Sequence, residues 1–313
     1  MNSVDVVCAG LCVVNFPVFP VDETLFSRDL TSVGNMELLT GGDAANQAKI
    51  ISRMGFKTAI CSRRGRDRFG DILMQLFEED AGVSTDGIVV DPSEATSVCA
   101  MMIKPDGNRH FCSHKGCINN FCFEDINLEM LSSAKVASIG GVYGLPKFDG
   151  NGAAAFFEFA KTHGAVTVAD TKFDQRKIGL KGIRGMLRHT DHFFPSYDEA
   201  SAISGKTQPE DIADVLLEAG ADFVGIKLGA KGCYIKSGTA GKYIPAIAGE
   251  VVDTTGAGDN FMSGFIAGLL KGWDIEKCCL FGTAAASLCV SQLEPTSAVR
   301  SFRQVKDRLE AAL

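Results

Sequence analysis

The most informative stretch of the sequence is Val251-Val252-Asp253-Thr254-Thr255-Gly256-Ala257-Gly258-Asp259-Asn260-Phe261. Its two valines predict the end of an apolar strand, and the small residues after them predict a turn. A helix is predicted next, because Phe261, Phe265 and Leu269 recur at the spacing of one helical face. The stretch therefore predicts a strand that passes through a glycine-rich turn into a helix.

The turn within this stretch is predicted to bind an anion. Gly256 and Gly258 let the backbone turn tightly and approach a ligand, and the amides of Gly256, Ala257 and Gly258 point outward at a helix N-terminus. Asp259 lies near the positive end of the helix dipole, so its carboxylate is expected to stay ionised. A carboxylate beside an anion hole suits phosphoryl transfer. A structural turn with Asp259 as a helix cap fits the same residues equally well.

Outward from this stretch, strands and helices alternate along the chain. Strands are predicted at 4–11, 58–62, 135–139, 166–170, 192–194 and 223–228. Helices are predicted at 43–54, 67–79, 152–163, 197–204, 259–271, 275–290 and 301–312. Alternation of this kind favours a mostly parallel sheet covered on both faces. A hairpin predicted around Pro105-Asp106-Gly107-Asn108 does not fit this alternation of strands and helices, and it indicates a small separate β layer.

Composition narrows the class of protein. The chain has 313 residues, 46% hydrophobic and 22% charged, which is typical of a globular protein. The net charge of −7 argues against a nucleic-acid partner, which needs a basic surface. The sequence contains no apolar run of about 18 residues, so no membrane span is predicted. Met1 to Asp5 lack the basic start of a signal peptide. Eleven irregularly spaced cysteines fit free thiols, so a cytoplasmic location is expected.

Four stretches together resemble one known family. Asp253 to Asp259, followed by Phe261, Gly264 and Phe265, resembles the C-terminal signature of the ribokinase-like pfkB carbohydrate kinases. The other three are Gly41-Gly42-Asp43-Ala44-Ala45-Asn46-Gln47-Ala48, Gly65-Arg66-Asp67-Arg68-Phe69-Gly70 and Leu228-Gly229-Ala230-Lys231-Gly232. They resemble family motifs in the same order along the chain.

The resemblance implies an α/β fold of the ribokinase-like kind, a three-layer sandwich with a mostly parallel central sheet and a small β-sheet lid. Residues 1–313 are expected to form a single kinase domain, with the lid built from about 11–40 and 97–118. The implied activity is transfer of the γ-phosphoryl group of ATP, with Mg²⁺, to a hydroxyl of a sugar or sugar-like molecule. A homodimer formed through the lid is expected by analogy.

The resemblance also assigns expected roles to individual residues. Catalysis is expected from the base Asp259 and the anion hole of Gly256, Ala257 and Gly258. Contacts to the phosphate acceptor are expected from Asn15, Gly41, Gly42 and Asn46. Contacts to the nucleotide are expected from Ser196, Lys227, Gly229 and Gly232. Glu199 is expected to position water on Mg²⁺, and Asp253 and Thr255 match half of a monovalent-cation site for K⁺.

Three positions depart from the family pattern. Asn15 stands where an aspartate usually grips two sugar hydroxyls, and Ser196 replaces the asparagine of an Asn-x-x-Glu motif. The stretch 291–295 lacks the glycine that usually helps to complete the cation site. These departures leave the identity of the substrate and the use of K⁺ open.

Other interpretations stay open beside the sugar kinase. A nucleoside acceptor could stack on Phe16, Phe19 and Phe111, and the departures at Asn15 and Ser196 also fit a ligand-binding protein that has lost catalysis. His110, Cys112 and His114 alternate on a predicted strand and could hold zinc. A final set could contact ligands at the sheet edge or form an ordinary charged loop: Asp170, Lys172, Asp174 and Arg176.

Overall fold

The protein is described by a computed structural model that covers residues 3–79, 82–105, 108–292 and 296–312. Its strands in these residues are β1 Val6–Gly10, β2 Val13–Phe19, β3 Asn35–Met36, β4 Leu39–Gly41, β5 Thr58–Gly65, β6 Val83–Asp91, β7 Val98–Ile103, β8 Arg109–His114, β9 Val136–Val142, β10 Val166–Thr171, β11 His192–Phe193, β12 Phe223–Lys227, β13 Cys233–Ser237 and β14 Ala240–Ile244. Nine of them form one sheet in the order β14-β13-β12-β11-β10-β9-β1-β5-β6. The pairs from β12 to β6 are parallel, and only the β13 and β14 edge is antiparallel in the described chain.

Helices cover both faces of this sheet. They are α1 Asp43–Arg53, α2 Arg68–Glu79, α3 Leu128–Ser132, α4 Asn151–Thr162, α5 Gly179–Leu187, α6 Tyr197–Ser204, α7 Pro209–Glu218, α8 Ala257–Leu270, α9 Ile275–Cys289 and α10 Phe302–Glu310. Because side chains alternate along a strand, Val7 and Ala9 of β1 pack with α3 to α7. Val6 and Cys8 pack with α1, α2 and α8 to α10. The predicted three-layer α/β sandwich is confirmed, and no helix within the described ranges is both long and apolar enough to span a membrane.

A second, smaller sheet holds the remaining five strands, and we call it the lid sheet. Its order is β3-β2-β7-β8, and β4 pairs with β2. The β2 and β7 strands are parallel, whereas β7 and β8 form an antiparallel hairpin, as predicted. Of the predicted turn residues in this hairpin, 106 and 107 lie outside the described part of the chain.

Close packing of α8 against α9 holds the start of α8 in place. A Cβ at Gly264 would lie 2.9 Å from the Gly282 Cα of α9, so the two helix backbones meet without intervening side chains. On another part of α8, Phe265 is fully buried and its ring centroid lies 4.5 Å from that of Phe194. The glycine-lined side of this helix that the sequence predicts is therefore its contact surface with α9.

The structure differs from the predicted elements at one predicted strand and at several elements that were not predicted. Val251 and Val252 form no strand, and both are exposed. The amide of Val252 instead donates to the Val290 carbonyl at the end of α9, so this segment lies beside a helix end rather than a neighbouring strand. The predicted elements also lack β6, α3, α7 and the β13–β14 hairpin. Four of the five residues of β14 are exposed, so this strand has no apolar pattern.

Candidate active site

A cavity of about 820 Å³ opens at the carboxyl ends of the parallel strands. Asp170 near the end of β10, Lys227 at the end of β12, Asp43 of α1 and the first residues of α8 all line it. Ligands of open α/β sheets bind at this edge, and the volume is that of a small-molecule site. The cavity is therefore the candidate active site.

The turn before α8 forms one wall of the cavity. Gly256 is the N-cap of α8 and has a φ of +73°, a conformation that strains residues with a side chain. Because Gly256 offers no capping side chain, the first helical amides depend on other partners. The Ala257 amide has one long bond, 3.3 Å to the Thr254 carbonyl. Amides at such a helix start are suited to hold an anion.

Asp259 lies in the first turn of α8 with its side chain almost completely buried. Its Oδ2 accepts a hydrogen bond of 2.7 Å from Nδ2 of Asn46. Burial, together with the nearby carboxylates of Asp43 and Asp170, raises the pKa of Asp259 well above its ordinary value, against the opposing effects of Asn46 and Lys227. The helix dipole alone led us to expect an easily ionised group, whereas the surroundings make this carboxylate a stronger base.

The side-chain amide of Asn46 has a hydrogen-bond partner at its nitrogen, and none among the described residues at its oxygen. A carboxylate only accepts hydrogen bonds, so the NH₂ group must face Asp259 and the carbonyl must face away. Asn46 is 6% exposed, and its Oδ1 has no hydrogen-bond partner among the described residues. A buried acceptor of this kind is normally satisfied, so Oδ1 is available for a hydroxyl donor next to Asp259.

Gly41 and Gly42 make room where the lid sheet joins α1. A Cβ at Gly41 would lie 2.0 Å from Nδ2 of Asn15, and one at Gly42 would lie 2.5 Å from the Leu11 carbonyl oxygen. Gly42 also has a φ of +94° and is the N-cap of α1. The structure thus brings Asn15 over Gly41, at the entrance to the helix that carries Asn46.

Lys227 and Asp170 form a buried ion pair on the cavity wall. Lys227 Nζ lies 2.5 Å from Asp170 Oδ1. Burial raises the pKa of Asp170 to about 6, although Lys227 opposes the shift. Burial lowers the pKa of Lys227, but the carboxylates of Asp170 and Glu199 raise it by more. The net shift is upward, so the ammonium stays charged. A Cβ at Gly258 would lie 3.2 Å from Lys227 Nζ, which places this cation directly beside the anion-binding turn.

Glu199 and Ser196 stand together at the start of α6. Oε2 of Glu199 accepts from the Ser196 amide at 2.9 Å and from Thr171 Oγ1 at 2.8 Å. This bond to the N-cap amide is half of a capping box. Both Ser196 and Glu199 also line the cavity, so the capping role of Glu199 is compatible with its predicted role near Mg²⁺.

Gly229 and Gly232 shape the turn that follows β12. Their φ angles are +58° and +90°, and a Cβ at Gly232 would lie 2.0 Å from the Ile244 carbonyl oxygen. Both glycines line the cavity, two and five residues after Lys227 at the end of β12. The predicted nucleotide-side turn therefore faces the same space as the anion-binding turn.

Asp253 and Thr255 precede the anion-binding turn. Oδ1 of Asp253 accepts from the Thr255 amide at 2.9 Å and from Thr255 Oγ1 at 2.7 Å. It also accepts from Nη1 of Arg109 at 2.9 Å, a residue at the start of β8 in the lid sheet. Of the stretch 291–295, which lacks the glycine usual in the second half of a cation site, residues 293–295 lie outside the described part of the chain.

Several candidate groups from the sequence stay apart from this cavity. His110, Cys112 and His114 lie exposed on β8, and within the described ranges no group of three or more histidine, cysteine or acidic residues could hold a metal ion. Asp174 and Arg176 serve the local structure, through bonds to the Gly179 amide and to Asp149 respectively.

The aromatic side chains predicted to stack on a nucleoside already pack against other residues of the protein. The Phe16 ring packs edge-on against Phe69 at 5.7 Å, and Phe19 packs on the lid cluster around Met101. Phe111 remains half-exposed, with the guanidinium of Arg109 over its ring. These contacts leave Phe111 as the most accessible ring of the three.

Two ion pairs of the site were not predicted from the sequence. The Asp170–Lys227 pair joins residues 57 apart, and Arg109 reaches Asp253 across 144 positions. Only the position of Asp170 and Lys227 at strand ends gave a signal, since parallel strands bring such ends to one edge. Nothing in the sequence around Arg109 indicated its partner.

The chain is similar to known kinases over nearly its whole length. The sequence profile described as "pfkB family carbohydrate kinase" matches residues 4–301. A sugar kinase of Archaeoglobus fulgidus is 30% identical over 243 residues, which cover 77% of this chain and 94% of the relative. A nucleoside kinase of Methanothermobacter thermautotrophicus is 28% identical, covering 87% and 85%. The solved structure of Arabidopsis thaliana ribokinase, complexed with ribose and ATP, has the same fold, with a TM-score of 0.81 at 22% identity over 99% of both chains. The chain belongs to the pfkB family of carbohydrate kinases.

Proposed function

We propose that this protein transfers the γ-phosphoryl group of ATP to a hydroxyl of a sugar-like molecule, with Asp259 as the general base. One observation carries the proposal: a buried carboxylate with a raised pKa lies at an uncapped helix start, bonded to Asn46 and close to Lys227. Kinases of this family use ATP and Mg²⁺, which supply the phosphoryl group and part of the charge neutralisation.

The residues of the site divide the work as follows. Asp259 accepts the proton of the acceptor hydroxyl, while Oδ1 of Asn46 accepts from a neighbouring hydroxyl and so orients the acceptor. The amides of Gly256, Ala257 and Gly258 and the ammonium of Lys227 receive the negative charge of the transferring group. Asn15, Gly41 and Gly42 complete the acceptor side at the edge of the lid sheet.

The residues present fit ATP and Mg²⁺. Ser196, Gly229 and Gly232 line the cavity next to Lys227, with two of these positions lacking side chains, so backbone can approach a nucleotide closely. Glu199 is the carboxylate proposed to hold Mg²⁺ through water. Mg²⁺ is usually held by one or two carboxylates, substrate phosphates and water, so one carboxylate at this place is sufficient.

We further propose that residues 1–313 act as one kinase domain, with a lid of about 11–40 and 97–118. Closing the lid over the acceptor would exclude water from the reaction. A cytoplasmic location is supported by ATP as the phosphoryl donor and by the cysteines, which are free thiols.

The experiment that tests the function is ATP turnover against a panel of acceptors. Simple sugars, sugar acids and nucleosides are incubated with the protein, Mg²⁺ and ATP, and phosphorylated products are identified by mass spectrometry. We expect at least one sugar-like acceptor to be converted, with little ATP hydrolysis in its absence. Conversion of nucleosides alone would favour the nucleoside kinase, for which the similarity to the Methanothermobacter enzyme is the specific observation. Binding without turnover of any acceptor would contradict the proposal and favour a ligand-binding protein.

Acceptor specificity is expected to respond to Asn46 and Asn15. Asn46→Ala should raise the KM for the acceptor roughly tenfold, because it removes one hydrogen bond to a hydroxyl, while the KM for ATP stays within about twofold. Asn15→Ala should act in the same direction. Asn15→Asp restores a carboxylate and is expected to change the ranking of acceptors in the panel. Equal effects on the KM values of ATP and acceptor would contradict this placement.

The proposed homodimer uses the outer surface of the lid. Phe26, Leu30 and Met36 are 96%, 80% and 63% exposed, an unusual concentration of large apolar side chains. We expect light scattering to give twice the mass of the chain, and Phe26→Glu with Leu30→Glu to give a monomer. A monomeric wild-type protein at micromolar concentration would exclude this dimer.

A further inference from the structure

One carboxylate oxygen of Asp253, Oδ1, already has several donors before any ion is considered, whereas Oδ2 is buried and has no hydrogen-bond partner among the described residues. The side chain of Asp253 is 1% exposed, and its Oδ1 receives Thr255 twice and Arg109 once. The carbonyl of Thr255, the second oxygen expected to bind a monovalent cation, lies 3.1 Å from the thiol of Cys289, which donates to it. Two oxygens expected to bind a monovalent cation, Oδ1 of Asp253 and the Thr255 carbonyl, are therefore already occupied by protein donors.

A guanidinium already supplies the positive charge at this place. A cation within about 4 Å of it would face strong repulsion in a partly buried setting. Arg109 is also planar and permanently charged, which suits a lasting pair with a carboxylate. Its side chain is 24% exposed and comes from β8 of the lid sheet, so the charge belongs to the lid and not to the loop that it neutralises.

Arg109 is connected to the anion-binding turn through a short chain of contacts. It bonds to Oδ1 of Asp253, and that same oxygen holds both the amide and the hydroxyl of Thr255. Thr255 immediately precedes Gly256, the N-cap of α8. An uncompensated Asp253 would repel an incoming phosphate and release Thr255, so both the charge and the position of the turn depend on Arg109.

We propose that Arg109 is a built-in replacement for the monovalent cation, a positioning residue that completes the anion-binding turn when the lid sheet is in place over the site. The proposal rests on the kinase function proposed above. It has two consequences: turnover of the wild-type protein is independent of K⁺, and the turn is fully formed only when the lid supplies its charge.

The test compares the wild-type protein with Arg109→Ala and Arg109→Lys in KCl and in tetramethylammonium chloride at equal ionic strength. We expect wild-type kcat to differ less than about twofold between the salts. Arg109→Ala should lose roughly 30-fold in kcat without K⁺, less than the ~10²-fold typical of a direct donor, and should regain part of it with K⁺. Arg109→Lys should keep most of the activity. Lys104→Ala, which removes another lid cation that pairs with Glu23, serves as the matched control.

A melting experiment reports on the same site without any turnover. K⁺ that binds Asp253 in the native state raises the thermal midpoint. We expect K⁺ to raise the midpoint of Arg109→Ala, to leave the wild-type protein unchanged, and to have no effect on Arg109→Ala with Asp253→Asn. Activation or stabilisation of the wild-type protein by K⁺ would overturn the proposal, as would a loss in Arg109→Ala that neither K⁺ nor lysine relieves. If no acceptor is phosphorylated, the kinase function fails, and the melting result still decides the role of Arg109.

Discussion

Asp259→Asn is expected to lower kcat by about 10³-fold while leaving the fold intact. The change removes the proposed general base, and general-base catalysis contributes roughly 10²–10⁴-fold. The asparagine has nearly the same size and keeps one oxygen toward Asn46, so the thermal midpoint should change little. Steady-state kinetics on a variant with a wild-type circular dichroism spectrum measure the effect.

A matched control is available in another helix. Asp71 is also an acid in the first turn of a helix, α2, but it is exposed and pairs only loosely with Arg64 at 3.4 Å. Asp71→Asn should leave kcat unchanged within about twofold, as surface substitutions usually do. A fully active, folded Asp259→Asn would show that Asp259 is a structural cap and that the base lies elsewhere.

The pH dependence provides a second check on Asp259. Its pKa is raised by burial, by Asp43 and by Asp170. A protonated carboxyl cannot accept a proton, so kcat/KM should fall as pH decreases, with a midpoint above the ordinary aspartate range. Asp43→Asn removes a negative neighbour that raises this pKa, and should move the acid limb to lower pH. A movement to higher pH would contradict the assignment.

Gly258→Val is expected to reduce kcat by at least ~10²-fold with a modest loss of stability. Gly258 lies in the first turn of α8, and a Cβ there would stand 3.2 Å from Lys227 Nζ and 3.7 Å from Asp170 Oδ2. A branched side chain would displace the ammonium and cover the amides that face the phosphate, which must come within about 2.7–3.1 Å of them. Measuring kcat and thermal midpoint on one preparation separates the two effects.

The same helix offers a control with the opposite pattern. A Cβ at Gly264 would meet the backbone of α9 at 2.9 Å, far along α8 from the turn. Gly264→Ala should therefore lower the thermal midpoint more than Gly258→Val, yet keep most of the kcat per folded molecule. If Gly258→Val instead had a much lower thermal midpoint and an unchanged kcat per folded molecule, Gly258 would serve only the turn into the helix.

The sequence predicted the layers of the fold because short apolar runs such as β1 alternate along the chain with longer helical segments such as α1 and α8. It also predicted the glycine-rich turn into α8 with Asp259 in its first turn, since small residues followed by an apolar helical pattern fix these positions locally, and it predicted the helix that carries Asn46. It could not predict that Asn46 would bond to Asp259, since 213 positions separate the two.

Other features escaped prediction for physical reasons that can be named. Val251 and Val252 have the composition of a strand, but no strand of the described residues pairs with them, and the amides of Val252 and Asp253 donate to the Val290 carbonyl at the end of α9. The pair of Arg109 and Asp253 depends on how two sheets are placed in space, and no local periodicity encodes that placement. The direction of the Asp259 pKa shift also depends on burial, which the helix dipole alone does not reveal.

The strand order has a consequence for synthesis of the chain. The strand β1 lies between β5 and β9, so one of its edges can pair early and the other must wait until Val136–Val142 has emerged. At about 5–20 residues per second, that interval lasts many seconds. During this time an apolar, fully buried strand of the mature protein presents an unpaired edge, which is a template for aggregation. Nascent chains stalled just before residue 136 are therefore where chaperones should be needed most.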